Sequence, residues 1–181
     1  MGLSQRATED VLGKNGLRAL LNYGGMSYLI ENKPDYSLEK NFTDDDFTAL
    51  STNYYKLLGA SGAKAVFRLI GSTITKRVVR SGLLDSFTKL EGFDRLYKSL
   101  ELYTIASGRG RVIRDANNIA FDVPQCTVCK DIREPAPYCT IYNGIIDELI
   151  RKSEVEGMRT VDTKCKALGD DTCYFEVLPA E

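Results

Sequence analysis

All five cysteines of this 181-residue chain, Cys126, Cys129, Cys139, Cys165 and Cys173, fall in its last third, and the chain contains no histidine. Together these facts limit what the polypeptide can fold around. Without imidazole there is no His-based general acid or base, no Ser-His triad, no His-ligated heme and no mixed His-Cys zinc site. The start, Met1 to Asn15, is polar and charged with no apolar stretch of the kind a signal peptide needs, and no segment approaches a membrane span. A cytoplasmic location is therefore expected, where thiols stay reduced and an odd, crowded set of cysteines points to a metal. Carboxylate is the other common ligand type, so the expected cofactor is Zn(2+) in an all-Cys or Cys-plus-Asp/Glu site.

The spacing of apolar residues predicts helices first and strands afterwards. Leu17, Leu20, Leu21, Tyr28 and Leu29 keep a helical period, with a break at Gly24-Gly25, and Lys33-Pro34-Asp35-Tyr36 reads as a loop. Thr43 followed by Asp44-Asp45-Asp46 is an N-cap with an acidic first turn, after which Phe47, Leu50, Tyr54 and Leu57 share a face. Gly59-Ala60-Ser61-Gly62 separates this helix from one striped by Val66, Phe67, Ile70, Ile74 and Val78, and a further helix runs from about Phe87 to Gly108. Two hairpins follow, Val112 to Val123 and Thr160 to Leu178, joined by a proline-containing loop and a helix from about Tyr138 to Ser153. The expected fold class is α+β: N-terminal helices packed on a small antiparallel sheet of two hairpins joined by a helix, with a cysteine zinc site. Residues 1–40 are expected to form a helical extension, and residues 41–181 the ligand-binding domain.

Parity in the last hairpin places Val161, Thr163 and Cys165 on one face of their strand, taken as the buried one, and Cys173, Phe175 and Val177 on the apolar face of the return strand. A turn centred on Gly169 makes Cys165 and Cys173 cross-strand neighbours, close enough to share one ion. Cys139 lies in the first turn of a helix, where the dipole favours a thiolate. Cys126 and Cys129 form a C-x-x-C on the approach loop. Continued alternation from Ile119, Phe121 and Val123 points Cys126 away, so Cys129 is the expected fourth ligand, with Cys126 as its alternative. Buried core thiols, a cross-strand disulfide and an iron–sulfur cluster are the competing readings of the same residues.

The run Pro137-Tyr138-Cys139, then Asn143-Gly144-Ile145-Ile146, then Val161 to Val177 resembles the C-terminal signature of the 4-vinyl-reductase domain family, and Gly59 to Ala63 resembles its N-terminal half. That family is associated with vinyl reduction of (bacterio)chlorophyll precursors, includes aromatic-effector sensing domains, and shares its fold with transport-protein-particle subunits. The resemblance implies Cys139, Cys165 and Cys173 as metal ligands, a homodimer, and a lipophilic pocket. Phenol sensing in the family uses histidine and tryptophan, and this chain has neither.

The function expected is binding or sensing of a small hydrophobic, aromatic or tetrapyrrole-like molecule, with Phe67, Ile70, Tyr97 and Tyr142 as pocket candidates that are equally readable as core. Two alternatives stand beside it: a reductase or accessory protein for a vinyl tetrapyrrole, and a structural assembly subunit. For the reductase, Gly108-Arg109-Gly110 lacks the third glycine of a dinucleotide loop and leads into a strand, so no cofactor-binding residues and no catalytic residues are assigned. The 24 basic and 25 acidic residues nearly cancel and form no basic stripe, which argues against nucleic acid.

Overall fold

The computed structural model describes residues 2–32, 43–115 and 118–180. The expected loop at Lys33 to Tyr36, the boundary at residue 40, and Ala116-Asn117 in the first hairpin turn lie outside the described residues. Helices α1 (Gly2–Tyr23), α2 (Tyr28–Glu31), α3 (Asp44–Arg80) and α4 (Gly92–Ser107) come first. Strands β1 (Arg111–Arg114) and β2 (Ile119–Val123), helix α5 (Thr140–Lys152), and strands β3 (Met158–Lys164) and β4 (Cys173–Pro179) follow. The four strands form one antiparallel sheet in the order β1-β2-β4-β3. The α+β class is as expected. No helix among the described residues is long and apolar enough to cross a membrane.

Local chemistry explains where α3 starts and bends. The Thr43 hydroxyl accepts the Asp46 N–H at 3.2 Å, while the Asp46 carboxylate accepts the Thr43 N–H at 2.9 Å, a reciprocal cap that satisfies two otherwise orphaned donors. Asp46 is held below the usual carboxylate range first by the Thr43 hydroxyl, which donates to its carboxylate at 2.7 Å, and then by the Thr43 backbone N–H. Gly59 adopts φ 68°, ψ 172°, a conformation closed to other residues, so the predicted separation of two helices becomes a sharp kink inside one continuous run. The first helix differs from expectation. It starts at Gly2 rather than Leu17, because its polar N-terminal turns lie against α3: Ala7 and Thr8 are buried, Thr8 shares a short hydrogen bond with Tyr54, and Asp10 pairs with Arg77 at 2.5 Å.

Helix α5 is buried nearly all round, as a helix between two layers must be. On one side it crosses α3 at Gly71 and Gly144. On the other, Tyr142 sits between Phe121 and Phe175 of the sheet, with ring centroids 5.9 and 5.3 Å away.

The parity expected for β3 is overturned. Thr160 pairs with Val177 and Asp162 with Phe175, so Thr160 and Asp162 share the inner face while Thr163 is exposed. A bulge between Asp162 and Lys164 inserts one residue and flips the alternation, so that Cys165 turns inward after all. On β4 the reading holds: Cys173, Phe175 and Val177 are buried and Tyr174 and Glu176 are half-buried.

Candidate thiol centre and apolar cleft

Three segments that diverge in sequence converge at the cysteines. The loop after β2 carries Cys126 and Cys129, the N-cap of α5 is Cys139, the β3–β4 connection carries Cys165, and Cys173 opens β4. All five are free and buried. The sulfurs of Cys126, Cys129, Cys139 and Cys173 all lie within 4.8 Å of one another. The closest pairs are Cys126–Cys139 at 3.3 Å, and Cys129–Cys173 and Cys139–Cys173 at 3.5 Å, with Cys165 at 3.9 Å from Cys139. Four sulfurs about 2.3 Å from a central ion stand about 3.8 Å apart. The spacing therefore suits a single ion, whereas an iron–sulfur cluster, with several irons and bridging sulfides, needs wider-set thiolates. Cys126, which strand alternation alone points away, is brought into the group by the turn at Pro124-Gln125.

Charge within the group is uneven. Hydrogen bonds from Cys129, Cys139 and Cys173 hold Cys126 well below the ordinary thiol range, and those from Cys129 and Cys139 bring Cys165 down to about 6. Cys126 pushes Cys173 up, but Cys129, Cys139 and Cys165 outweigh it and bring Cys173 down to about 5. Cys129 is raised, chiefly by its bond to Cys126, and Cys139 is raised by burial and then by its four thiol neighbours. At Cys139 burial opposes the thiolate that a helix start favours, while Cys126, Cys165 and Cys173 are the lowered thiols. Backbone donors support two of these: the Tyr138 N–H donates to Cys165 and the Lys166 N–H to Cys173, each at 3.4 Å.

A second feature lies on the opposite side of Tyr138. Between α1, α3 and the start of α5 there is a narrow cleft with about 10 Å³ of room for the centre of a water-sized sphere. Ser4 and Thr8 of α1 form one wall, and Ile141 of α5 another. The two halves of α3, on either side of the Gly59 kink, supply the rest: Phe47, Leu50, Ser51 and Tyr54, then Phe67 and Ile70. The hydroxyls of Thr8, Tyr54 and Ser51 are engaged, Thr8 with Tyr54 and Ser51 with the Phe47 carbonyl, and the rest of the lining is mostly apolar. Of the four expected pocket residues, Phe67 and Ile70 line the cleft. Tyr97 does not; it is half-buried on α4 beside Lys98, Arg114 and Glu101. Tyr142 is core between α5 and the sheet. The α1 contribution was missed because its polar, helix-poor pattern gave no amphipathic signal.

The class this architecture defines is a helical layer over a four-stranded antiparallel sheet, and solved structures share it. No family model matches the chain, and no curated protein matches it in sequence. The chain is similar to a structure from a study of heme distortion in the H-NOX family (12% identity, 99% of this chain and 94% of that one, TM-score 0.66). It is also similar to the phenol-responsive sensory domain of the transcription activator PoxR with phenol (18%, 76% and 75%, TM-score 0.56). A third is a trafficking protein particle complex subunit 3 from Naegleria fowleri covalently bound to palmitic acid (16%, 77% and 98%, TM-score 0.51). At these identities the likeness is one of fold.

The expectation of Zn(2+) is corrected by this comparison. Among the neighbours that span nearly the whole chain, two are described by heme, two by Fe(II) and none by zinc, and a group of thiols does not by itself select zinc. Heme does not fit the described residues either. There is no histidine to serve as axial ligand, the thiols face one another instead of an open plane, and the cleft, with room for little more than one water, is far too small for a macrocycle.

Proposed function

We propose that the chain is a binding or sensing domain for a small hydrophobic molecule, which enters by widening the narrow cleft between α1, α3 and α5, with its fold pinned by a soft metal ion on the thiol centre. The observation that carries this reading is the cleft: a narrow apolar space walled by the rings of Phe47, Tyr54 and Phe67, beside the kink of α3. Its small volume argues against a tetrapyrrole and so against the vinyl-reductase alternative. The PoxR domain and the trafficking subunit hold phenol and palmitic acid on the same fold, which supports a binding role by analogy alone. The thiols proposed to hold the ion are Cys126, Cys129, Cys139 and Cys173, whose sulfurs lie mutually closest. Cys165 is the alternative to Cys126.

The test is thermal unfolding with toluene, phenol and indole, together with native mass spectrometry of the purified protein. A ligand at a hundred times its Kd contributes about 2.7 kcal/mol, or about 5–10 °C in Tm for a chain of this length. Ile70→Phe, which narrows the cleft, is expected to fold and to lose the shift. An unchanged Tm for all three compounds, with no co-purifying ligand, would overturn the reading.

A further inference from the structure

Resting on that reading, we infer that the thiol centre and the cleft are coupled through Tyr138, so that filling the centre orders the cleft wall. Tyr138 is fully buried and contacts the thiol group on one side and two residues of the cleft wall on the other. Its backbone N–H donates to the Cys165 sulfur, and the next residue, Cys139, has its sulfur within 3.9 Å of those of Cys126, Cys165 and Cys173. Its side chain packs behind the cleft wall. The phenol hydroxyl donates to the Ser51 carbonyl at 3.5 Å, and the ring stands edge-on to Phe67 with centroids 5.6 Å apart. Ser51 and Phe67 wall the cleft from opposite sides of the Gly59 kink.

The same ring is clamped from above. Tyr55 packs edge-on against it at 5.7 Å, and the Tyr55 hydroxyl donates to Glu134 of the cysteine loop at 2.5 Å. An ion that draws the sulfurs of the group together sets the Tyr138 backbone between Cys139 and Cys165. In a close-packed interior the ring has no spare rotamer with which to absorb the shift, so the position of the backbone passes to Ser51 and Phe67. Coupling of this kind is reciprocal: whatever fills the cleft changes the affinity of the centre by the same factor.

Co(II) is the probe, because thiolate-to-cobalt charge-transfer absorption reports occupancy of the centre directly. Hydrogen exchange is followed in residues 47–54 of the cleft wall, with residues 96–104 of α4 as the control. In the wild-type protein, Co(II) is expected to slow exchange in residues 47–54 by about tenfold or more, within the usual range of site-to-site coupling. Tyr138→Phe keeps the ring and is expected to keep most of this protection. Tyr138→Leu, and independently Phe67→Leu, are expected to show the same absorption with residues 47–54 left unprotected. Absorption without protection in the wild type, or protection undiminished in both leucine variants, overturns the coupling. Absence of the absorption in the wild type overturns the thiol-centre reading and the coupling with it.

Discussion

At the crossing of α3 and α5, a Cβ added at Gly144 would lie 2.0 Å from the Arg68 carbonyl oxygen, and one added at Gly71 would lie 2.1 Å from that of Ile141. Both obstacles are backbone, so neither helix can yield without opening the interface. By contrast, a Cβ at Gly24 would meet only the side-chain amide of Asn53, which can swing away. Gly144→Ala and Gly71→Ala are therefore expected to destabilise the protein by about 1–3 kcal/mol or more, as overpacking of a filled core does, with Gly24→Ala costing less. Urea unfolding monitored by circular dichroism checks the order. A Gly144→Ala midpoint equal to that of the wild type would mean that the helices do not cross this closely. The run Asn143-Gly144-Ile145-Ile146 is visible in the sequence, but not the reason for its glycine, which lies in a helix 70 residues away.

The start of α3 is a matter of local chemistry, and its energetics follow from two residues. Thr43→Ala removes the hydroxyl that accepts the Asp46 N–H and donates to the Asp46 carboxylate, keeps the backbone N–H bond to that carboxylate, and is expected to cost about 0.5–2 kcal/mol. The Thr43 bonds lower the Asp46 pKa in the folded state, so the stability they contribute is present above the ordinary carboxylate range and is lost as pH falls through the lowered folded value. The gap between wild type and Thr43→Ala is thus expected to narrow between pH 7 and pH 3. A gap that stays constant across this range in denaturation curves would remove Asp46 from the account. This cap, the kink at Gly59 and the helix end at Gly108, where φ is 64°, were all readable from residue type, because each is decided within a few residues. The face of β3 was not. A bulge depends on what the partner strand and α5 demand, and here Asn143 of α5 draws Asp162 inward with a hydrogen bond of 2.9 Å.

For the whole molecule, the family resemblance implies a homodimer, and we carry it forward as a proposal, since an isologous two-fold contact is the commonest soluble assembly. Light scattering at high micromolar concentration is expected to give twice the 20.2 kDa of one chain, and a monomer there would sink it. What the sequence determined by itself was the inventory and the local order: helices before hairpins, a histidine-free chain with five thiols near its end, and an apolar stripe containing Phe67 and Ile70. Those follow from residue type and short-range periodicity. Only the tertiary structure decided that all five sulfurs meet in one buried group, that the polar first turns of α1 close a cleft, and that Tyr138 stands between the two. Each of these is a contact between segments distant in sequence, and the packing that selects it appears only when the helices and the sheet are brought together.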